Sequence, residues 1–117
     1  MTLLITAAAG SLGALCRYLV SGFVQSRVAS LLPIGTAAVN LIGAFSLGLI
    51  AGASDLSASG PLALVGFLGG FTTFSTWMVE TVRLGVAPRP RFRAIANLTV
   101  ILVFGVMVAA IGFSVTN

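Results

Sequence analysis

Four stretches of this chain, about residues 3–24, 31–53, 61–82 and 92–115, each reach the roughly 20 mostly apolar residues that an α-helix needs to cross a bilayer. The segments between them are short and rich in breakers: "QSRVASLLP", "SDLSASGP" and "RLGVAPRPR". Pro33 and Pro61 suit helix starts, and Pro88 and Pro90 stiffen a turn. Such separators force neighbouring helices to run antiparallel and leave no room for a soluble domain. The expectation is an all-α integral membrane protein, a single four-helix transmembrane domain over 1–117 with no internal repeat. Only 7% of the residues are charged, too few to clothe a soluble surface. The first apolar run lacks a basic leader and is followed by further spans, so it reads as a retained helix rather than a signal peptide.

The side-chain inventory excludes much chemistry. Histidine is absent, Asp55 and Glu80 are the only carboxylates, and Cys16 is the single cysteine. General acid–base catalysis, zinc ligation and a disulfide framework therefore lack their residues, and no enzyme is expected. All six cations are arginines. Most cluster between apolar runs rather than across a folded face, which argues against nucleic acid and for membrane topology. Arg27 lies in the first loop, and Arg83, Arg89, Arg91 and Arg93 lie in or beside the third; the second loop and the tails carry none. The positive-inside rule then puts loops one and three in the cytoplasm and both termini outside.

Small residues recur at four-residue spacing in Gly66 with Gly70, Gly10 with Ala14, and Gly105 with Ala109. In lipid this spacing lets helix backbones approach closely, although glycine is common in membrane helices anyway.

Polar groups inside a span are costly unless paired or facing water. Arg17, in the first span, either snorkels its stem toward a membrane face or lines an aqueous vestibule that attracts anions. Thr36 and Asn40 share one face of the second span. A threonine hydroxyl can bond back to its own helix. The Asn40 carboxamide must find another helix, as glue, or a pore. Asn97 in the fourth span poses the same choice.

The third span holds "GFLGGFTTFSTW". Three glycines before four hydroxyl residues make a poor continuous helix. A break there frees carbonyl oxygens at mid-membrane depth, which are tolerated only where something meets them. A hard cation such as Na⁺ suits such oxygens. Phe71, Phe74 and Trp77 follow at three-residue steps. They form either a packing stripe or a row of rings whose positive edges accompany a small anion.

Taken together, "GALCRY", "GTAAVNLIGAFSLG" and "GFLGGFTTFST" resemble the Fluc (CrcB) family of bacterial fluoride channels. The likeness covers nearly the whole chain and is weakest in the fourth span. It implies an antiparallel dimer of four-helix subunits in the bacterial plasma membrane, with a broken third helix and two fluoride pores along the interface. It also implies a structural Na⁺ on the two-fold axis, held by backbone carbonyls that here would be those of Gly69 and Thr72. Asn40 would be the pore asparagine, Thr36 would share its polar track, Phe74 would be the first pore phenylalanine, and Arg17 would match the arginine of the first helix.

Three departures from that pattern stand out. Trp77 replaces the second pore phenylalanine, keeping a positive ring edge, adding an N–H and enlarging the ring. Ile101 and Asn97 stand where a serine and a tyrosine are usual. The loop arginines all fall on one side, where a homodimer of dual orientation would balance them, so a paralogue heterodimer is expected over a homodimer. The function implied is passive, selective F⁻ export that relieves fluoride toxicity, with no acidic side chain on the path. Two alternatives compete. One is a non-conducting partner subunit. The other is a small multidrug-type proton-coupled exporter, which needs a membrane carboxylate; Glu80, three residues before Arg83, reads instead as its ion-pair partner.

Overall fold

The computed structural model describes residues 1–28, 32–53, 55, 58–86, 88 and 90–117. Arg89, counted above among the loop arginines, and Leu31, the expected start of the second span, lie outside these. Five helices follow in order: α1 (Thr2–Arg27), α2 (Ile34–Ala53), α3 (Ser59–Phe71), α4 (Phe74–Val86) and α5 (Phe92–Thr116). Their apolar runs make four membrane-capable spans, because α3 and α4 together form one stretch from Ser59 to Val86.

The helix ends follow from local chemistry. Pro33 lends its carbonyl to the Ala37 amide, opening α2. The Gln25 carboxamide on α1 accepts the Gly35 amide at 3.1 Å, satisfying one of the orphan donors at the start of α2. Pro61 sits in the first turn of α3, where its missing N–H costs nothing. Arg27 ends α1 with its guanidinium 4.9 Å above the Phe23 ring.

Successive spans run antiparallel, yet the most extensive contacts are between α2 and α5 and between α1 and α3, pairs that run parallel. Glycine makes both possible. Along the α1–α3 seam, Gly66 faces Thr6, Gly70 faces Gly10 and Ala14, and Gly13 faces Phe67 and Phe71. A Cβ on Gly70 would meet the Gly10 backbone, with its carbonyl carbon only 2.8 Å away. The α2–α5 seam is built alike, with Gly48 against Ala109 and Phe113 and Gly112 against Phe45 and Gly48. Thr116 closes its far end by donating to the Leu49 carbonyl at 2.9 Å. The small-residue pairs Gly66–Gly70 and Gly10–Ala14 thus meet each other across one seam. Gly105 does not join in: nothing lies within 4 Å of where its Cβ would be. Helix α2 touches all four others, and its Val39 is fully buried.

The helical run is interrupted at Thr72, whose backbone is extended (φ −83°, ψ 159°), and at Thr73. Before the interruption the span packs on α1; beyond it, α4 packs on α5 and makes no comparable contact with α1. The third span therefore changes partner at mid-length, and a gap opens between α1 and α4.

Candidate functional site

The interruption is organised by side chains that replace the helical hydrogen bonds. The Thr73 amide would bond the Gly69 carbonyl in a continuous helix. It donates instead to Asn40 Oδ1 at 2.8 Å, while Asn40 Nδ2 donates to the Thr73 carbonyl at 3.0 Å. The Asn40 carboxamide thus clamps both backbone groups of one buried residue (Thr73, 7% exposed). The Thr76 amide, which would bond the Thr72 carbonyl, goes to Thr73 Oγ1 at 3.3 Å, so Thr73 acts as the N-cap of α4. The Thr72 amide and hydroxyl both settle on the Leu68 carbonyl. Among the described residues, no donor is left for the carbonyls of Gly69 and Thr72. Both line a groove of about 430 Å³ between α2, α3, α4 and α5, together with Gly43, Leu47, Ile101 and Gly105.

Phe74 and Trp77 flank the same groove. Their rings meet edge-on, with centroids 5.8 Å apart and an interplanar angle of 83°. They differ sharply in exposure: Phe74 is 70% exposed and Trp77 only 7%. The Trp77 indole N–H donates to the Asn97 backbone carbonyl at 3.2 Å. The Asn97 side-chain amide donates to Thr81 Oγ1 at 2.8 Å, and the Thr81 hydroxyl donates back to the Trp77 carbonyl at 2.8 Å. Ile101, one turn beyond Asn97, is buried.

On the other side of the interruption, the gap between α1 and α4 is a cavity of about 690 Å³. Arg17, Ser21, Thr36, Thr76, Glu80 and Arg83 are among its lining residues. Thr73 lines both cavity and groove, so the interruption is their shared wall. Arg17 is half-buried there. Thr36, only 3% exposed, donates its hydroxyl to Glu80 Oε1 at 2.8 Å.

That bond takes the place of the direct contact expected between Glu80 and Arg83. The two line the same cavity and the Arg83 charge acts on the carboxylate, but they form no ion pair, and the carboxylate turns to a hydroxyl 44 residues away; its Oε2 is buried with no hydrogen-bond partner. The same bond sets an acidic group beside Thr36, one of the residues expected along an acid-free path. Sequence reasoning weighed the i, i+3 neighbour and passed over the face that Thr73, Thr76, Glu80 and Arg83 share on α4. It also passed over the capping role of Thr73, although a threonine just ahead of a helical run is a signal of it.

Of the candidates, the structure brings Gly69, Thr72, Asn40, Phe74 and Trp77 around the groove, and Arg17 and Thr36 into the cavity. Comparison with known proteins covers most of the chain. The family described as "CrcB-like protein, Camphor Resistance (CrcB)" matches residues 4–113. A Mycobacterium bovis protein named "Fluoride-specific ion channel FluC 2" is 44% identical over 103 residues, 88% of this chain and 81% of that one. A Syntrophotalea carbinolica protein named "Fluoride-specific ion channel FluC" is 43% identical over 112 residues, 89% and 91% of the two chains. One of the same name from Citrifermentans bemidjiense is 55% identical over 80 residues, 64% of each.

Proposed function

The chain belongs to the CrcB family and is a multi-pass membrane protein, and from that premise we propose that it is a subunit of a fluoride-selective channel through which F⁻ leaves the cytoplasm passively, relieving fluoride toxicity. The observation that carries the reading is the interruption at Thr72–Thr73, taken as the family's broken third helix. It leaves two carbonyls without donors beside an exposed aromatic ring, all within an apolar groove. Lipid satisfies neither the carbonyls nor the edge of the groove; a second subunit in opposite orientation would cover the edge, and a cation shared with it would meet the carbonyls.

The donor set at Gly69 and Thr72 is neutral, hard and made of oxygen, which fits Na⁺. Bound there, the ion would supply structural positive charge at the dimer centre, four carbonyls in all coming from two such subunits. The residues of this chain do the rest. Asn40 and Thr73 hold the carbonyls open. Arg17 and Arg83 draw anions into the cavity, which the arginine-rich loops place on the cytoplasmic side, with both termini outside. Thr76 offers a hydroxyl that replaces water of a small anion, while the Thr36 hydroxyl, on the same polar track, is engaged by Glu80. Phe74 presents a ring edge where the path reaches the subunit interface. No coupling is needed, because an interior-negative membrane drives an anion outward by about 2.3 kcal/mol per 100 mV.

The one-sided loop arginines favour a paralogue heterodimer of fixed orientation over a homodimer. The non-conducting partner reading draws on the inward-turned Trp77 and the buried Ile101. The exporter reading draws on Glu80 in the cavity but has family membership against it. Fluoride efflux from liposomes, with chloride as control, decides among them. Selective F⁻ release by this subunit, alone or with a co-encoded paralogue, is expected. Release that persists unchanged when Phe74 is altered assigns conduction to the partner, and proton-driven release of a cationic drug without F⁻ release overturns the channel.

A further inference from the structure

We infer that Trp77 is a positioning residue rather than a pore-lining one: held to α5 by a closed ring of hydrogen bonds through Asn97 and Thr81, it sets the angle at which Phe74 faces the anion. This rests on the fluoride-channel reading and adds a division of labour between the two rings.

Three observations carry it. First, the indole is almost wholly buried while Phe74 stands open to the groove, so only one of the two rings is placed to meet an ion. Second, the indole N–H, the one polar feature that tryptophan adds over phenylalanine, is spent on the Asn97 carbonyl inside the subunit. The ring then closes through the Asn97 amide, the Thr81 hydroxyl and the Trp77 carbonyl, fixing the residue at both its side chain and its backbone. Third, the Phe74 ring leans on the indole in an edge-on arrangement, so an orientation imposed on Trp77 is passed to Phe74. The same contacts join two of the departures from the family pattern: the indole bonds the backbone carbonyl of Asn97, and the Asn97 side chain adds a second tether through Thr81.

A positioning role predicts coupling, which a merely structural role does not. Asn97→Leu and Thr81→Val should each reduce F⁻ efflux from liposomes by about tenfold, within the range of coupling between residues in contact. In a Phe74→Leu background, where no ring edge remains to be aimed, Asn97→Leu should cost nothing further. Trp77 is the only tryptophan, so fluorescence anisotropy reads its mobility directly. It should fall in Asn97→Leu and in Thr81→Val, with the protein still dimeric by size. Equal loss from Asn97→Leu in both backgrounds, or unchanged flux and anisotropy in a conducting protein, overturns the positioning role alone. Absence of F⁻ flux from the unaltered protein, with and without its paralogue, overturns the channel reading beneath it, and the anisotropy still reports whether the tether exists.

Discussion

Replacing Asn40 by leucine removes the clamp on Thr73 while keeping a side chain of similar size. The clamp satisfies one backbone donor and one backbone acceptor on a residue that is 7% exposed. A buried backbone group deprived of its partner costs about 1–3 kcal/mol, so losing both costs about 2–6 kcal/mol. That is a large share of the roughly 5–15 kcal/mol that holds a domain together. The loss falls on the junction of α3 and α4 rather than on the glycine seams, so local opening should rise before the bundle fails. Amide hydrogen exchange resolved at Thr73 is the assay. At 1.4 kcal/mol per factor of ten, the lost amide bond alone should speed exchange about tenfold or more. Asn40→Asp separates the two halves of the clamp, because it keeps an acceptor for the amide and loses the donor to the carbonyl. Thr73 should then stay protected in Asn40→Asp and open in Asn40→Leu. An unchanged Thr73 exchange rate in Asn40→Leu would refute the reasoning, since something other than Asn40 would then be holding the junction.

Two adjacent glycines should behave oppositely. Gly70→Ala forces a Cβ into the Gly10 backbone and should cost about 1–3 kcal/mol or more, whereas Gly69→Ala meets nothing within 4 Å and should leave subunit stability intact in detergent; equal losses would mean that the α1–α3 seam is misplaced. Thr36→Val strips the Glu80 carboxylate of its one hydrogen bond and should lower stability by about 1–2 kcal/mol, with Thr36→Ser restoring it in thermal unfolding. Exchanging Na⁺ for a large organic cation during reconstitution should abolish F⁻ efflux and loosen the dimer; full activity without Na⁺ would remove the cation from the carbonyls of Gly69 and Thr72.

The four spans are legible because lipid imposes a length and an apolarity that few other environments demand. The site for the interruption is legible because glycines and hydroxyls run together where a helix should continue. Which helices pair is not legible. In a soluble bundle an apolar stripe points to the core, but here lipid and core are equally apolar, so the pattern of leucines and valines carries no direction. Gly105 and Ala109 show the cost: they form one small-residue pair in sequence, yet Ala109 lies against Gly48 and Gly105 faces open space. The hydrogen-bond partners of Glu80 and Trp77 are not legible for another reason. Each has a plausible role beside its sequence neighbours, and the actual partners, Thr36 and Asn97, sit on other helices.

The parallel pairing of α1 with α3 and of α2 with α5 has a consequence for biosynthesis. Each helix finds its main companion two spans later, so a chain emerging into the membrane offers α1 and α2 only their lesser mutual contact. The glycine face of α2 waits for the last helix to arrive, and the clamp on Thr73 can close only once the third span has entered. A nascent subunit therefore passes most of its synthesis with both seams and a polar asparagine exposed to lipid, a window in which insertion factors or a paralogue already in the membrane have time to act.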